Sequence, residues 1–435
     1  MARPSSAALR TDVRARPRPT GRERARRRIG AALLAGVALT GTASCAGSSD
    51  AAVAATVTPP ASSTPPPPPP VYWPLTGLES GTVPAHPALA VKIENSVDAR
   101  PQTGLGAADV VWEQVVEGGI SRYVAVYHST LPPQLGPVRS IRPMDPAIAA
   151  PLHGLFAASG GQAGYVRDVA DAGLQVLTFD AGDDGFARIA TRSAPHNVYV
   201  DTQALLAQAD ATHLADPAPQ FDLATTPDQA GAVLAGTPAS TLSLTLSGVS
   251  RPQWTWSAPE ARWLRAEGGT PAVEADGARL GAANVVVLRV DVVSTGGVDP
   301  AGNPIPEIVL AGRGAALVAS GGRTLPATWV KGGVADRVVL LGADGNPVRL
   351  APGRTWVELV PNRGGAVTVG RIRGGVSCGT SPAGRTPRPG SGPPAAGRGC
   401  RCPPASGAGR CSTPRAGRSS RWPSPPAAGP ARRPS

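Results

Sequence analysis

Metal-binding side chains are scarce in this sequence of 435 residues, which contains five histidines and five cysteines. The histidines, at positions 86, 128, 153, 196 and 213, form no H-x-H or H-E-x-x-H motif. Four cysteines lie beyond residue 377 with the spacing C-x21-C-x-C-x8-C, which matches no zinc framework. No P-loop or G-x-G-x-x-G motif follows a predicted strand. We therefore expect neither a metal nor a nucleotide cofactor.

An excess of basic residues is also missing from most of the chain. The net charge is +12, yet residues 29–370 carry 20 basic and 28 acidic residues, a net charge of −8. Residues 1–28 contribute +8 and residues 371–435 contribute +12. Because nucleic-acid binding needs a basic surface on the folded part, the sequence argues against nucleic acid as a partner.

The N-terminus has the pattern of an export signal. An Arg-rich segment, "RERARRRIG", precedes "IGAALLAGVALTGTA", whose apolar core of about a dozen residues is shorter than the roughly 20 that a membrane-spanning helix needs. The ending "LTGTASC" is similar to a bacterial lipoprotein signal, in which the cysteine is acylated. We predict a signal peptide over 1–45 and a lipid such as palmitate on Cys45. An ordinary signal peptide with an incidental Cys45 is the alternative.

The lipid would tether an exported protein to the outer face of the cytoplasmic membrane. Residues 46–70 end in six prolines and indicate a Pro-rich spacer, because such runs adopt the extended polyproline II helix. Residues 364–435 consist largely of Arg, Gly, Pro, Ser and Ala and have no apolar periodicity. We interpret this tail as disordered, and its composition resembles GC-rich DNA translated in the wrong frame.

Between these ends the patterning predicts two domains joined by a linker over 216–240. Residues 71–215 mix Val-rich strands such as "ALAVKIEN" with helical patterns such as "MDPAIAAPLHG", which predicts an α/β domain with a mixed sheet and helices. Asp201 is expected to cap a helix there. Residues 241–363 show short alternating runs between Gly-rich turns, which predicts a β-rich, mainly antiparallel domain. Its alternating tryptophans, Trp254, Trp256 and Trp263, favour core packing over a carbohydrate platform.

Several strings occur in the order found in one known family. They are "PLTGLE" (74–79), "ARPQTGLGAADVVWEQVVEGGISRYVAVYHS" (99–129), "GPVRSIRP" (136–143), "RSAPHNVY" (192–199), "ANVVVLRVDVV" (283–293), "GRGAALVASGGRTLPATWVKG" (312–332) and "LAPGRTWVELVP" (350–361). Together they resemble the YerB-like lipoproteins of bacteria, a two-part domain of unknown function. The resemblance covers about residues 71–362. It implies the fold, export and lipid anchoring, and it implies no reaction.

Three arginine-containing segments of the first domain point to a polar site. Glu117 and Arg122 flank the Gly118–Gly119 turn, where glycine permits a tight connection, and could pair across two strands. Arg139 and Arg142 follow in a Pro-flanked segment and could converge on one anion, since guanidinium groups bind carboxylate or phosphate with two hydrogen bonds. A purely structural role, as internal salt bridges, is the alternative.

The segment "RSAPHNVY" adds Arg192, His196 and Asn197 to the candidate site, and "SGG" adds Ser159 before a predicted helix. We hypothesise that these residues line a pocket for an anionic ligand, such as a cell-wall fragment, an acidic polymer or an envelope protein. The enzymatic alternative is a hydrolase or transferase of cell-wall material that uses His196 with Glu117 or Ser159.

Overall fold

The computed structural model describes residues 69–371, in which β-strands predominate. The first strands are β1 (Val71–Tyr72), β2 (Glu79–Ser80), β3 (Leu89–Glu94), β4 (Val110–Val115), β5 (Ser121–Tyr127), β6 (Leu155–Ala158), β7 (Gln175–Thr178), β8 (Phe186–Arg188) and β9 (Val198–Val200). The others are β10 (Thr237–Pro238), β11 (Thr241–Thr245), β12 (Pro252–Ser257), β13 (Arg262–Glu267), β14 (Thr270–Pro271), β15 (Gly281–Ala282), β16 (Asn284–Val298), β17 (Pro304–Val309), β18 (Gly312–Ser320), β19 (Arg323–Lys331), β20 (Val339–Leu341), β21 (Thr355–Pro361) and β22 (Ala366–Gly370). The α-helices are α1 (Asp145–Ala149), α2 (Ala163–Asp171), α3 (Thr202–Leu206) and α4 (Gly231–Ala235).

Twelve strands form one mixed sheet in the order β10-β19-β18-β16-β21-β4-β5-β3-β6-β7, with β17 beside β16 and β20 beside β19. Strand β21 pairs in parallel with both β16 and β4, so strands from both halves of the chain share this sheet. Strand β5 runs antiparallel to both β3 and β4, and β3, β6 and β7 are parallel neighbours. The carboxyl ends of β3, β4, β6 and β7 therefore lie at one edge of the sheet.

The two faces of the large sheet are covered differently. On face A, alternate side chains such as Val111, Tyr123 and Trp356 pack against a smaller sheet, of order β14-β13-β12-β11-β22 with β15 beside β13, which contributes Trp254 and Trp263. These two tryptophans are fully buried, which confirms their predicted place in the core.

On face B, the intervening side chains of the same strands pack against helices and loops. Val124 and Phe156 lie in this second core with Ile148 of α1 and Val169 of α2. Because successive side chains of a strand point to opposite faces, neighbouring residues of β4 and β5 enter two different environments.

The predicted α/β domain with helices is wrong. Strands account for 41% of the structure and helices for 13%, and the N-terminal region is itself β-rich. The pattern "MDPAIAAPLHG" yields only the five residues of α1, because Pro151 cannot donate the next helical hydrogen bond and His153 adopts a left-handed conformation with φ 48°. The predicted N-cap is confirmed, since Asp201 Oδ1 accepts from the amides of Gln203 and Ala204 at 2.9 and 3.0 Å.

The predicted signal peptide with Cys45, nearly all of the Pro-rich spacer and residues 372–435 of the predicted tail lie outside the described residues. The tail was predicted to be disordered from residue 364, but its first residues form strand β22 (Ala366–Gly370), which pairs with β11. Among residues 69–371, no helix combines the length and apolar character needed to cross a membrane. Within the same range, no group of three or more His, Cys, Asp or Glu side chains is placed to hold a metal ion.

Candidate functional site

A cluster of charged side chains lies on face B where β3 and β4 end and β5 begins. Arg122 of β5 stands directly opposite Glu94 of β3 and Gln114 of β4 in the strand register. All three side chains are buried, although charged residues seldom are unless paired. The cluster therefore sits at the carboxyl edge of parallel strands, a common place for ligand sites in sheets of this kind.

The deepest part of the cluster is an ion pair between Lys92 and Asp145, both fully buried. Lys92 Nζ lies 2.5 Å from Asp145 Oδ1, and Gln114 Nε2 donates to the same oxygen at 2.7 Å. The Arg142 amide donates to Asp145 Oδ2 at 2.7 Å, which ties this aspartate to the preceding segment. Burial lowers the pKa of Lys92 to about 8, with a smaller contribution from nearby Arg122 and Arg142 and against the opposing effect of Asp145.

Glu117 lies between two arginines rather than beside one. The turn over Glu117–Gly119 contains Gly118 at φ 67° and Gly119 at φ 74°, which glycine adopts at little cost. Arg142 Nε lies 2.5 Å from Glu117 Oε1, whereas Arg122 Nη2 is 3.9 Å from Glu117 Oε2. The short contact is poorly aligned for a hydrogen bond, so it acts as an ion pair. Glu117 thus holds the two arginines together.

Arg139 and His196 share a second carboxylate, that of Glu94. His196 Nδ1 lies 3.0 Å from both Glu94 oxygens, Arg139 Nε is 3.4 Å from Oε1, and Ser96 Oγ donates to Oε1 at 2.8 Å. Arg139 is the most exposed of the cationic side chains in the cluster at 22%, compared with 12% for Arg142 and 5% for Arg122. Arg139 and His196 are therefore the part of the cluster that solvent reaches.

The positive charges of the cluster exceed its negative charges. Burial, with Arg142 and Arg139 close by, lowers the pKa of Arg122 to about 9 against the opposing effects of Glu117 and Glu94. A lowered pKa of a guanidinium group means that its surroundings do not fully compensate its charge. An anion added to the cluster would supply that compensation.

The remaining candidate residues lie apart from these contacts. Ser159 Oγ lies 3.3 Å from Ser140 Oγ, beyond the end of β6. Asn197 Oδ1 accepts from Arg188 at 2.7 Å. Arg192 donates to the backbone carbonyls of Asp98 and Pro101 at 2.8 and 2.5 Å, so it holds a loop in place. His196 Nε2 lies 3.9 Å from Asp98 Oδ2, and its closest carboxylate is Glu94, not Glu117.

Sequence reasoning missed three members of the cluster, namely Lys92, Glu94 and Asp145. The first two belong to "LAVKIE", the six residues of β3, all of which are buried. Charged residues inside so apolar a strand are the signal that could have identified them, because burying an unpaired charge is costly. Asp145 carries no comparable signal, since its role depends on the placement of α1 under the sheet.

A second charged cluster lies on face A, centred on Arg265 of β13. Arg265 Nη2 is 2.7 Å from Glu113 Oε2 and 2.7 Å from Glu267 Oε1, and Nη1 donates to Glu358 Oε1 at 2.8 Å. Trp254 Nε1 donates to the same Glu358 oxygen at 2.8 Å. Three carboxylates from three strands thus surround one guanidinium group.

Aromatic rings enclose this second cluster. The guanidinium carbon of Arg265 lies 4.7 Å from the ring centre of Trp356, 5.3 Å from that of Trp254 and 5.5 Å from that of Tyr123, distances at which a cation is attracted to an aromatic face. Burial raises the pKa of Glu358 well above its usual value, and nearby Glu113 adds to the effect. The cluster reduces its excess negative charge in this way.

Comparisons with known proteins agree with this architecture. Two family models match, described as "Protein of unknown function (DUF3048) N-terminal domain" over residues 75–215 and "Protein of unknown function (DUF3048) C-terminal domain" over residues 242–357. A protein of Bacillus subtilis (strain 168), named "Putative lipoprotein YerB", is 33% identical over 128 residues, which are 29% of this chain and 39% of that protein. The matched segment thus spans about two fifths of that relative.

The fold is also similar to a solved structure. The crystal structure of YerB protein from Bacillus subtilis aligns with a TM-score of 0.57 and 22% sequence identity, covering 68% of this chain and 99% of that one. At that level of identity the likeness concerns the fold.

Proposed function

Because the chain belongs to the YerB-like family of two-domain proteins, we propose that it is a lipoprotein of the cell envelope that binds an anionic ligand at the carboxyl-edge cluster of face B. The name of the Bacillus subtilis relative and the signal ending in Cys45 support the anchor. Labelled palmitate should be incorporated into the wild-type protein and not into Cys45→Ala, and equal labelling would contradict the anchor.

One observation carries the ligand proposal. The side chains of Lys92, Arg122, Arg139 and Arg142 bring four cationic groups together. Among the described residues, three carboxylates, those of Glu94, Glu117 and Asp145, form ion pairs with them, and Asp299 acts on Arg142 from farther away. His196 Nδ1 lies 3.0 Å from Glu94 Oε1, which can accept a hydrogen bond from it. The residual positive charge stands at the edge of the sheet, where Arg139 meets solvent.

The chemistry of the cluster favours a carboxylate or phosphate as the bound group. Arg139 offers a planar fork of donors, and a fork of this kind matches either oxyanion with two hydrogen bonds. Its pair with Glu94 at 3.4 Å is long and poorly aligned, which leaves Nε free to reorient toward a better acceptor. Cell-wall muropeptides carry carboxylates and wall polymers carry phosphates, so both kinds of envelope material are suitable ligands.

Calorimetric titration of the purified protein tests this proposal. We expect binding of muropeptides or of a phosphate-containing wall polymer and no binding of an uncharged glycan of similar size. Arg139→Ala should weaken that binding by about 1.5–3 kcal/mol, the usual value of a hydrogen bond to a charged group. Arg262→Ala is the matched control, because Arg262 forms a partly exposed ion pair with Glu260 at 2.5 Å on the other sheet.

Two results would contradict the proposal. One is the absence of binding to every anionic probe. The other is an equal effect of Arg139→Ala and Arg262→Ala, which would show that only general surface charge matters. A melting temperature for Arg139→Ala close to that of the wild type would establish that any loss of binding does not reflect unfolding.

The hydrolase or transferase alternative stays a prediction, but the residue that lies beside His196 differs from the two that the sequence suggested. His196 pairs with Glu94, so a proton acceptor would consist of these two residues rather than of His196 with Glu117 or Ser159. Turnover of labelled peptidoglycan that is lost in His196→Ala would favour catalysis by His196. Absence of turnover in the wild type, or turnover that is unchanged in that variant, would argue against it.

A further inference from the structure

A cavity of about 440 Å³ lies on the face A side, apart from the anion cluster. One wall is the segment from Val97 to Gln102, which follows β3, and the opposite wall runs from Glu267 through β14 to Leu280. The volume is within the range of small-molecule sites, about 300–1,000 Å³. Its apolar lining comes from Val97, Pro101, Pro271, Ala272, Val273 and Leu280.

Hydrogen bonds hold both walls in place without any ligand. The amide of Ala275 donates to the Gln102 carbonyl at 2.8 Å and joins the two walls directly. Arg192, from the sequence-predicted site, donates to the carbonyls of Asp98 and Pro101 and supports the first wall from behind. The cavity is therefore preorganised, which reduces the entropic cost of binding.

Two opposite charges line the cavity and do not satisfy one another. Arg100 Nη2 lies 3.7 Å from Glu267 Oε2, which is longer than a hydrogen bond. The guanidinium group is fixed by Asn95, whose side-chain and backbone oxygens accept from Nε and Nη2 at 2.9 Å each.

The carboxylate is fixed as firmly as the guanidinium group. Glu267 Oε1 accepts from Arg265 Nε at 2.8 Å and from the Tyr123 hydroxyl at 3.2 Å. Although burial opposes it, Arg265 and Arg100 hold the pKa of Glu267 below its usual value, so this carboxylate is ionised at neutral pH. Only 10% of its side chain is exposed, and Oε2 is left for a further partner.

We propose that this cavity binds a small zwitterion of the α-amino-acid class with an apolar side chain. The ligand carboxylate would accept from Arg100, its ammonium group would donate to Glu267 Oε2, and its side chain would lie against the apolar walls. Each charge on the protein then gains a partner of opposite sign, and the net charge of the cavity does not change. This site is independent of the anion cluster proposed above.

Titration with leucine and three analogues tests the chemical class. Leucine should bind the full-length protein, whereas 4-methylpentanoate, isopentylamine and glycine lack the ammonium, the carboxylate and the apolar side chain respectively. Each analogue should bind at least about tenfold more weakly than leucine, because each loses one charge-assisted hydrogen bond or the apolar contact. Equal binding of leucine and either single-charge analogue would overturn the proposal.

Variants of the cavity locate the binding. Arg100→Ala and Glu267→Gln should each weaken leucine binding about tenfold or more, and Thr270→Trp should abolish it by filling the mouth from an exposed position. Glu260→Gln and Arg139→Ala are controls that should leave leucine binding unchanged. If Glu267→Gln impairs folding, Arg100→Ala and Thr270→Trp decide the matter. No detectable leucine binding, or binding that persists in Thr270→Trp with an unchanged melting curve, would refute the site.

Discussion

The two faces of the large sheet bury charged clusters of opposite character, although the same two strands supply both. Glu113 and Tyr123 belong to the carboxylate-rich cluster of face A, and their sequence neighbours Gln114 and Arg122 belong to the arginine-rich cluster of face B. Around Arg265, face A is closed by a second sheet and by tryptophan rings, so the fully buried charges there must be balanced from within. Face B is covered by short helices and ends at an open edge, where solvent or a ligand can balance the excess.

The difference in access to solvent indicates which of the two charged clusters can bind a ligand. The fully buried part of the face A network, Arg265 with Glu113 and Glu358, is enclosed by aromatic rings, and its charges serve to fix the arrangement of three strands. Only Glu267, at the border of this network, reaches the cavity described above. An arginine cluster that reaches the edge of a sheet can exchange an internal carboxylate for an external one. Variants of Arg265, Lys92 and Glu358 test this distinction.

Removal of the central cation of face A should have the largest effect on stability. Arg265→Met leaves Glu113, Glu267 and Glu358 without their shared partner, and breaking a buried ion pair in this way costs about 3–5 kcal/mol. Chemical denaturation at neutral pH measures the change in the free energy of unfolding. Arg262→Met, on the same strand, should cost less than about 1 kcal/mol because its ion pair with Glu260 is partly exposed. Similar values for the two variants would show that face A is not a closed network.

Removal of the deepest cation of face B should lower the free energy of unfolding by less than Arg265→Met does. Lys92→Met should cost about 3 kcal/mol, near the lower limit for a broken buried pair, because Asp145 keeps its hydrogen bonds from Gln114 and the Arg142 amide. Addition of Asp145→Asn to Lys92→Met should restore most of that stability in a double-mutant cycle. If the double variant is as unstable as Lys92→Met, the uncompensated carboxylate of Asp145 is not the cause of the lost stability.

The change in protein stability with pH that Glu358 causes should be the smallest of the three effects. Its folded-state pKa is raised, so its stabilising contribution is present below the unfolded pKa of about 4.5 and is lost as the pH rises toward the folded value. Glu358→Gln should therefore gain stability relative to the wild type as the pH rises from 4 to 8. Denaturation curves at several pH values provide this difference.

Glu260→Gln is the control for that titration and should change in the opposite direction. The pKa of the exposed Glu260 carboxyl is lowered by its hydrogen bond with Arg262, so its contribution is present above the unfolded pKa and is lost as the pH falls. A gain of stability with rising pH in both variants would contradict the assignment of the raised pKa to Glu358.

The sequence predicted a part of the candidate site and missed the rest for identifiable reasons. It pointed to Glu117, Arg122, Arg139 and Arg142, which the structure brings together, since each lies in a short polar segment between apolar runs. It paired Glu117 with Arg122, whereas the closer contact is with Arg142, because the direction of a side chain after a Gly–Gly turn depends on what packs above it.

The Arg265 cluster could not be predicted from any local pattern. Glu358 lies 93 positions along the chain from Arg265 and 104 positions from Trp254, which donates to the same carboxylate. Alternation in "WTWSAPEARWLR" places Arg265 on the same face as the buried Trp263, yet it does not indicate which carboxylates surround the guanidinium group. The prediction of an α/β domain was wrong for a related reason. Helical spacing in the sequence does not show how long a helix becomes, and α1 and α3, with five residues each, help to cover the sheet.

The sequence alone determined the alternation of the strands and the presence of polar segments between them, because these follow from local composition and from the period-two geometry of a strand. Only the tertiary structure decided which charges meet. The parallel pairing of β21 with both β16 and β4 joins strands distant in sequence into one sheet, and burial on its two faces then selects, for each charged side chain, the partner that offsets the cost of leaving water.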